Sequence, residues 1–257
     1  MSETPQTEAA KKRIIILGAV SAIAESAARM WAALGARIVL SGRSVDRLQA
    51  VAADLRVRGG TVEIIPIDLA IADTEKSFRQ MVDHLGGVDI VLLAYGELGN
   101  QNQLETSPEA ALRNLAVNFS SAAAWCLCVA NVLEAQGNGV LIVIGSVAGD
   151  RGRASNYIYG AAKGGLGVLV QGIAHRLSHT GARAVLIKPG FVNTPMTASV
   201  PNKGFLWSEP HRIAKIIVRA GAENGRARPI RYAPWFWRWI MYVTRFMPAF
   251  IFHRTKL

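Results

Sequence analysis

Three side chains in this sequence have the types and spacing for acid–base work on a carbonyl group. In "NYIYGAAKGGL", Tyr159 and Lys163 stand at i and i+4, which puts both on one face of a helix. An ammonium beside a phenol favours the phenolate, so the pair is expected to bring the phenol down from a pKa of about 10 toward the working range. Such a group can hand a proton to a carbonyl oxygen or take one from an alcohol. Ser146 lies thirteen residues earlier, in "GSVAG", at the end of an apolar run. Its hydroxyl can hold the same oxygen, provided the fold brings the two side chains together. Tyr157 lacks this arrangement, because its i+4 neighbour is Ala161. A Y-x-x-x-K spacing alone arises often by chance. The serine before it and "PGFVNT" after the next apolar run make it specific.

The elements that must position these groups follow from the hydrophobic pattern. Short apolar runs at 13–18, 36–42, 61–68, 88–96, 139–146 and 183–190 alternate with amphipathic stretches at 22–34, 44–58, 73–85, 107–135 and 157–180. The runs are continuously apolar, which predicts parallel strands covered on both faces. Strand–helix alternation with right-handed crossovers gives an α/β fold: a single Rossmann-type, doubly wound parallel sheet flanked by helices. Residues 1–11 are expected to form a disordered polar leader, 12–232 the sheet domain, and 233–257 an amphipathic, basic and aromatic tail. The stretch "KKRIIILGAVSAIA" has the look of a secretory signal with Ala22-Ile23-Ala24 as its cleavage site. Cleavage there would remove the first strand, so the segment is expected to stay. Cys126 and Cys128, two apart, form no disulfide framework and suggest a reducing compartment.

In such a sheet a ligand sits beyond the carboxyl ends of the strands. The first strand runs into "LGAVSAIAES", where Gly18, Ser21 and Ile23 form a strand–turn–helix able to offer amides to a pyrophosphate. Ala22 and Ala24 stand where glycines are usual, and their methyls are expected to push the pyrophosphate slightly outward. The second strand ends in "SGRS". No carboxylate is there to bind a ribose 2′-hydroxyl, whereas Arg43 can pair with a 2′-phosphate, so NADP(H) is expected over NAD(H). The third run ends at Asp68-Leu69, where the carboxylate can meet an adenine amino group or merely cap a helix. His175 and His179 have the spacing of a metal pair, but no third ligand stands near them in the sequence. A solvated helix end, with no metal, is the expectation.

Together these motifs resemble the short-chain dehydrogenase/reductase family over residues 13–195. The resemblance implies that Tyr159 is the acid/base, that Ser146 orients the substrate carbonyl, and that Lys163 binds the nicotinamide ribose and lowers the phenol's pKa. It further implies that Asn118, in "AVNFSS", supports a water relay to the lysine. Ala94 and Gly96 of "LAYG", and Pro189, Val192 and Thr194 of "PGFVNT", join the cofactor contacts, the last two at the carboxamide. Two departures stand out: "LGAVSAIA" replaces TGxxxGxG, and "LAYG" replaces NNAG. Within the family, "LLAYGELGN", "GSVAGDRGRASNYIYGAAKGGL" and "APWFWRWIMYVTRFMPAFIF" look like the subgroup that reduces a 2-keto pentose carried on a polyprenyl phosphate. That likeness implies a flavin-dependent oxidase partner that makes the ketone, the pair converting a ribose to an arabinose unit for arabinan synthesis. The alternative is a general ketone or aldehyde reductase whose tail serves oligomerisation. A homo-oligomer is expected in either case. A nucleotide-binding scaffold without turnover would have no need of the serine, tyrosine, lysine and asparagine together.

Charge is the remaining signal. The chain of 257 residues carries a net charge of +11, and residues 203–257 hold eleven Lys and Arg against Glu209 and Glu223 alone. Arg231, Arg238 and Arg245 are spaced by sevens and are expected to form one stripe on a helix, with Trp235, Trp239, Tyr242 and Phe246 around the rest. The segment is too short and too charged to span a bilayer. Basic and aromatic together, it points to an anionic membrane surface rather than to nucleic acid. The expected place is the cytoplasm, peripheral on the inner face of the cytoplasmic membrane. Deleting 233–257 is then expected to spare turnover of a water-soluble analogue. The competing expectation is that the tail covers an apolar patch on its own subunit or on a partner.

Overall fold

The apolar runs become strands because each presents one set of side chains to either side of a sheet. In the computed structural model, which describes residues 11–198, 200, 204–223 and 228–255, seven parallel strands run in the order β3-β2-β1-β4-β5-β6-β7. They are β1 (Arg13–Leu17), β2 (Arg37–Gly42), β3 (Thr61–Pro66), β4 (Ile90–Leu93), β5 (Asn138–Ile144), β6 (Gly181–Pro189) and β7 (Ile230–Ala233). In β1, Ile14 and Ile16 face one core, and Ile15 and Leu17 face the other. The first core is closed by α1 (Ala22–Ala32), α2 (Val45–Val57) and α8 (Pro210–Ala222). The second is closed by α3 (Thr74–Leu85), α6 (Ala122–Gln136) and α7 (Tyr157–Arg176). The expected leader falls almost wholly on residues 1–10, which lie outside the described residues, as do Lys203, Arg226 and Lys256.

Three features differ from the expectation. The stretch expected as one helix over 107–135 is preceded by a short α4 (Gln101–Thr106) and consists of α5 (Pro108–Leu115), a π-helical turn at Ala116–Ser121 and α6. α8 and β7 were not anticipated: α8 lies in the basic region read for its charge, and β7 in a Pro- and Arg-flanked stretch too short to show a pattern. β7 pairs with β6, Tyr232 beside Lys188 and Ala233 beside Pro189, so it carries the sheet one residue past the expected domain boundary. Arg231 therefore lies in a strand, where its guanidinium forks onto the Glu223 carboxylate (2.9 Å to Oε1). The predicted three-arginine helical stripe does not form; Arg238 and Arg245 share α9 (Trp237–Phe246) without it. A final turn, α10 (Ala249–Phe252), follows.

Candidate active site

Ser146 follows β5 in extended backbone (φ −163°, ψ 153°), just before a 3-10 turn at Val147–Asp150. Its Oγ accepts the Ala148 amide at 3.1 Å, which leaves the hydroxyl proton free to be donated. That turn packs on the first half of α7 at close range. A Cβ on Gly149 would come within 2.7 Å of the Gly164 amide, and one on Gly160 within 2.9 Å of the Ala148 carbonyl. The glycines of "GSVAG" and "YGAAKGG" are thus what lets the serine turn reach the helix carrying Tyr159 and Lys163.

Both of those side chains are buried. Burial pushes the Tyr159 phenol up to about 12, and the Ser146 hydroxyl, acting on the same phenol, draws it part of the way back. Burial also brings the Lys163 ammonium down to about 8. The expected depression of the phenol by its neighbouring cation is therefore corrected. Lys163 Nζ lies 5.8 Å from the Tyr159 ring centroid and donates to the Ile144 carbonyl at 3.3 Å, and burial is the largest influence on the phenol. A neutral phenol at physiological pH is the form needed to donate a proton.

Asn118 sits within the π-helical turn, fully buried. Its Nδ2 donates to the Glu97 carbonyl (2.8 Å) and the Asn114 carbonyl (3.0 Å), while its Oδ1 accepts the Glu97 amide (3.0 Å). The side chain thus fastens the loop after β4. Gly96 there has φ +152°, and a Cβ on it would lie 2.7 Å from Asn118 Oδ1 and 3.4 Å from Lys163 Nζ, so Asn118, Gly96 and Lys163 form one cluster. Ala94, two residues before, is tied to β1 by its amide on the Leu17 carbonyl (2.8 Å).

The turn after β1 fits a dinucleotide phosphate. Gly18 has φ +87°, and a Cβ on it would meet the Tyr95 amide at 2.6 Å. Ser21 is the N-cap of α1 but makes no side-chain cap bond, and the amides of Ala22, Ile23 and Ala24 find no acceptor among the described residues. These are the free donors that a helix N-terminus offers to an anion. The expected outward push from Ala24 is corrected: its side chain is fully buried in the core shared by α1 and the sheet, turned away from the loop. Arg43 is exposed at the end of β2. Arg47, one turn further on, was missed by sequence reasoning; its guanidinium donates to the Val20 carbonyl at 2.9 Å, which sets it between β2 and the phosphate turn. The Asp68 carboxylate accepts the Ala70 amide (3.0 Å), and the Leu69 carbonyl is taken by Trp125 Nε1 (2.9 Å). Pro189 closes β6, and Val192 bridges to Ser208. Thr197 Oγ1 donates to the Val192 carbonyl (2.6 Å) and accepts the Thr194 amide (3.2 Å), so the loop is held in one shape. His175, in the last turn of α7, and His179, in the 3-10 turn that follows, are both exposed.

The C-terminal segment is built into this site. Trp237 is buried against Gly190, leaving no room for a Cβ there, and its ring meets Phe191 edge-on at 5.4 Å. Trp237 and Met241 cluster with Val147 of the serine turn. Asp150, last in that turn, receives the Lys188 ammonium and the Tyr232 hydroxyl (2.8 Å). The inner face of α9 thus covers its own subunit, and removing 233–257 would strip a wall from the site. Sparing of soluble turnover by that deletion is no longer the expectation. The outer face of α9 leaves Trp239, Tyr242, Val243 and Phe246 exposed.

Comparison with known proteins agrees with this architecture. The family model for short chain dehydrogenases matches residues 12–204. An uncharacterised oxidoreductase of Streptomyces coelicolor is 32% identical over 247 residues, covering 95% of each chain. Another, from Mycobacterium tuberculosis (strain ATCC 25618 / H37Rv), is 34% identical over 245 residues, covering 94% of this chain and 96% of the relative. Among solved structures, an alcohol dehydrogenase from the archaeon Thermococcus sibiricus, complexed with 5-hydroxy-NADP, superposes with a TM-score of 0.74 at 23% identity, covering 88% of this chain and 98% of that one. The chain belongs to the short-chain dehydrogenase/reductase family and is an NAD(P)-dependent oxidoreductase.

A nicotinamide cofactor, when bound, would supply the hydride in reduction. The residues of this chain do the rest. The Ser146 hydroxyl, its oxygen already held by the Ala148 amide, can donate to a carbonyl oxygen and fix its direction. The Tyr159 phenol can donate its proton to that oxygen as negative charge develops, since an alkoxide is a stronger base than a phenolate even with the phenol near 12. The Lys163 ammonium, protonated below about 8 and 5.8 Å from the ring centroid, can offer its charge to the phenolate left behind.

Proposed function

We propose that the protein uses NADPH to reduce the 2-keto group of a pentose carried on a polyprenyl phosphate, the reaction of the decaprenylphospho-erythro-pentofuranos-2-ulose 2-reductases that its sequence resembles. The observation that carries this reading is the placement of α9. Its inner face packs Trp237 and Met241 on Val147 of the turn that follows Ser146, and its outer face leaves Trp239, Tyr242, Val243 and Phe246 exposed, with Arg238 and Arg245 on the same helix. The described residues beyond Glu223 include no acid. A helix face of this kind suits the head-group layer of an anionic membrane, at about 1 kcal/mol for each basic residue near the surface. A substrate held in the bilayer by its prenyl chain must be met there, on the inner face of the cytoplasmic membrane. A flavin-dependent oxidase would supply the ketone. Arg43 after β2 and Arg47 beside the phosphate turn support NADPH, since either guanidinium can pair with a 2′-phosphate and no carboxylate ends β2. Exposed Leu112, Leu127 and Val168 on the helices of the second layer support a homo-oligomer.

A second reading has its own observation. The same outer face of α9, Trp239 to Phe246, is broad and apolar enough to pair with a second subunit, which suits a general carbonyl reductase. NADPH consumption with a polyprenyl-phosphoryl 2-keto-pentose, run against simple ketones, separates the two. Preference for the lipid-linked sugar by about a hundredfold or more in kcat/KM is expected, and Tyr159→Phe should remove at least about a hundredfold of the rate while NADPH still binds. Equal rates on simple ketones would sink the lipid-sugar reading. Wild-type turnover in the tyrosine variant would sink the proton donor.

A further inference from the structure

The residue that follows the serine turn makes contacts that neither the catalytic groups nor the cofactor loop explain. The Arg151 guanidinium donates to the carbonyls of Thr244, Arg245 (3.4 Å) and Met247 (2.6 Å), and lies 3.8 Å from the ring centroid of Phe252. Carbonyls at a helix end lack intrahelical donors, and the negative end of the helix dipole favours a cation beside them. Arg151 therefore satisfies the exit of α9 and covers α10 with one side chain. Its neighbour Asp150 ties the same turn to β6 and β7 through Lys188 and Tyr232. At the other end of α9, Trp237 rests on Gly190, which opens the "PGFVNT" loop. The serine turn is thus held by α7 on one side, through Gly149 and Gly164, and by the C-terminal segment on the other.

We propose that Arg151 is a positioning residue. It clamps α9 against the Ser146 turn, so that the serine hydroxyl and the Val192–Thr194 loop keep a fixed separation across the site. The C-terminal segment then sets the turnover rate as well as where the enzyme stands. This inference requires the family's carbonyl chemistry and holds whichever surface the outer face of α9 meets.

The test uses the full chain carrying Arg151→Met, Arg151→Lys or Arg176→Met. Arg176 is the control, since its guanidinium also makes several bonds, to Glu134 and Asn131, at the far end of α7. Its loss reports on general destabilisation. Three quantities are read: kcat and KM for NADPH oxidation, the NADPH dissociation constant by fluorescence, and hydrogen exchange in peptides covering 144–152. The carbonyl is whichever of 9,10-phenanthrenequinone, diacetyl or benzaldehyde the wild type reduces fastest. Arg151→Met should lower kcat about tenfold to a hundredfold and speed exchange in the serine turn, with NADPH binding changed by less than about twofold. Arg151→Lys should recover part of the rate, since it restores the charge and one donor. Arg176→Met should change neither. Wild-type kcat in Arg151→Met, or an equal loss in Arg176→Met, would overturn the proposal. If none of the three carbonyls is reduced, exchange decides: faster exchange in Arg151→Met supports the clamp, and unchanged exchange rejects it.

Discussion

At the scale of single residues, the proposed proton transfer rests on two buried groups whose ionisation is set by the same desolvation. The Tyr159 phenol rises to about 12 and the Lys163 ammonium falls to about 8 because burial penalises the charged form of each. Tyr159 then stays protonated across the physiological range, and Lys163 is the group that titrates. Reduction at saturating NADPH should hold steady up to about pH 8 and fall above it, as the ammonium that stabilises the phenolate is lost. A pH–rate profile checks this; a descending limb at 10 or above would refute it. The stability sign is opposite to the rate. Lys163 has a lower pKa folded than its ordinary 10.5, so between about 8 and 10.5 the unfolded chain binds the extra proton. The cost of burying the ammonium, present in full below about 8, is relieved as pH rises through that window. The Tyr–Lys spacing was legible in the sequence. The direction of the phenol's shift was not, because it depends on how much protein surrounds the ring rather than on what stands four residues away.

At the scale of elements, α9 is a helix with two working faces. Trp237, Met241 and Thr244 are spaced to face inward and are buried, while Trp239, Tyr242, Val243 and Phe246 face outward. Trp237→Ala is expected to destabilise the protein by about 3–5 kcal/mol in urea unfolding, and Tyr242→Ala by less than about 0.5 kcal/mol. Equal effects would show that the helix does not dock by the face described. The sequence displayed the aromatics of this segment but not which of them pack inward. Large apolar side chains stand on both faces of α9, inward at Trp237 and Met241 and outward at Trp239, Tyr242 and Phe246, so residue type alone does not mark the inner face. β7 was hidden for a related reason. Four residues of an edge strand leave little pattern, and the sheet accepts "IRYA" because β6 supplies the hydrogen-bonding partner. The π-helical turn at Asn118 likewise has no propensity signature; it accommodates one asparagine that bonds sideways to the loop after β4.

At the scale of the molecule, the proposed membrane surface depends on the exposed cations of the C-terminal segment. Arg231 is neutralised by Glu223, so Arg238, Arg245 and Arg254 remain as the described outward charges beyond β7. If the outer face meets lipid, the double variant Arg238→Gln/Arg245→Gln should bind phosphatidylglycerol vesicles about thirtyfold more weakly, from about 1 kcal/mol per charge. Raising the salt should weaken the wild type in the same direction. Unchanged vesicle binding in a flotation assay would remove the membrane reading. The stretch Pro108–Gln136 is the one among the described residues long and apolar enough to cross a bilayer by length and composition. Its Trp125, Cys126, Val129 and Leu133 are instead spent on the sheet.

The sequence by itself determined the alternating strand–helix order, the parallel sheet with two covered faces, and the Ser146, Tyr159 and Lys163 set. These follow from local periodicity and short spacings, which survive in one dimension. Tertiary structure alone decided that Ala24 turns into the core, that Arg47 reaches the phosphate turn, and that burial governs the phenol. It also decided that, from the turn after Ser146, Arg151 reaches the end of α9 and Asp150 reaches β6 and β7. Each of these depends on which atoms meet across more than twenty residues of chain. Such contacts arise from packing the sheet and its helices together, a three-dimensional condition that no run of neighbouring residues encodes.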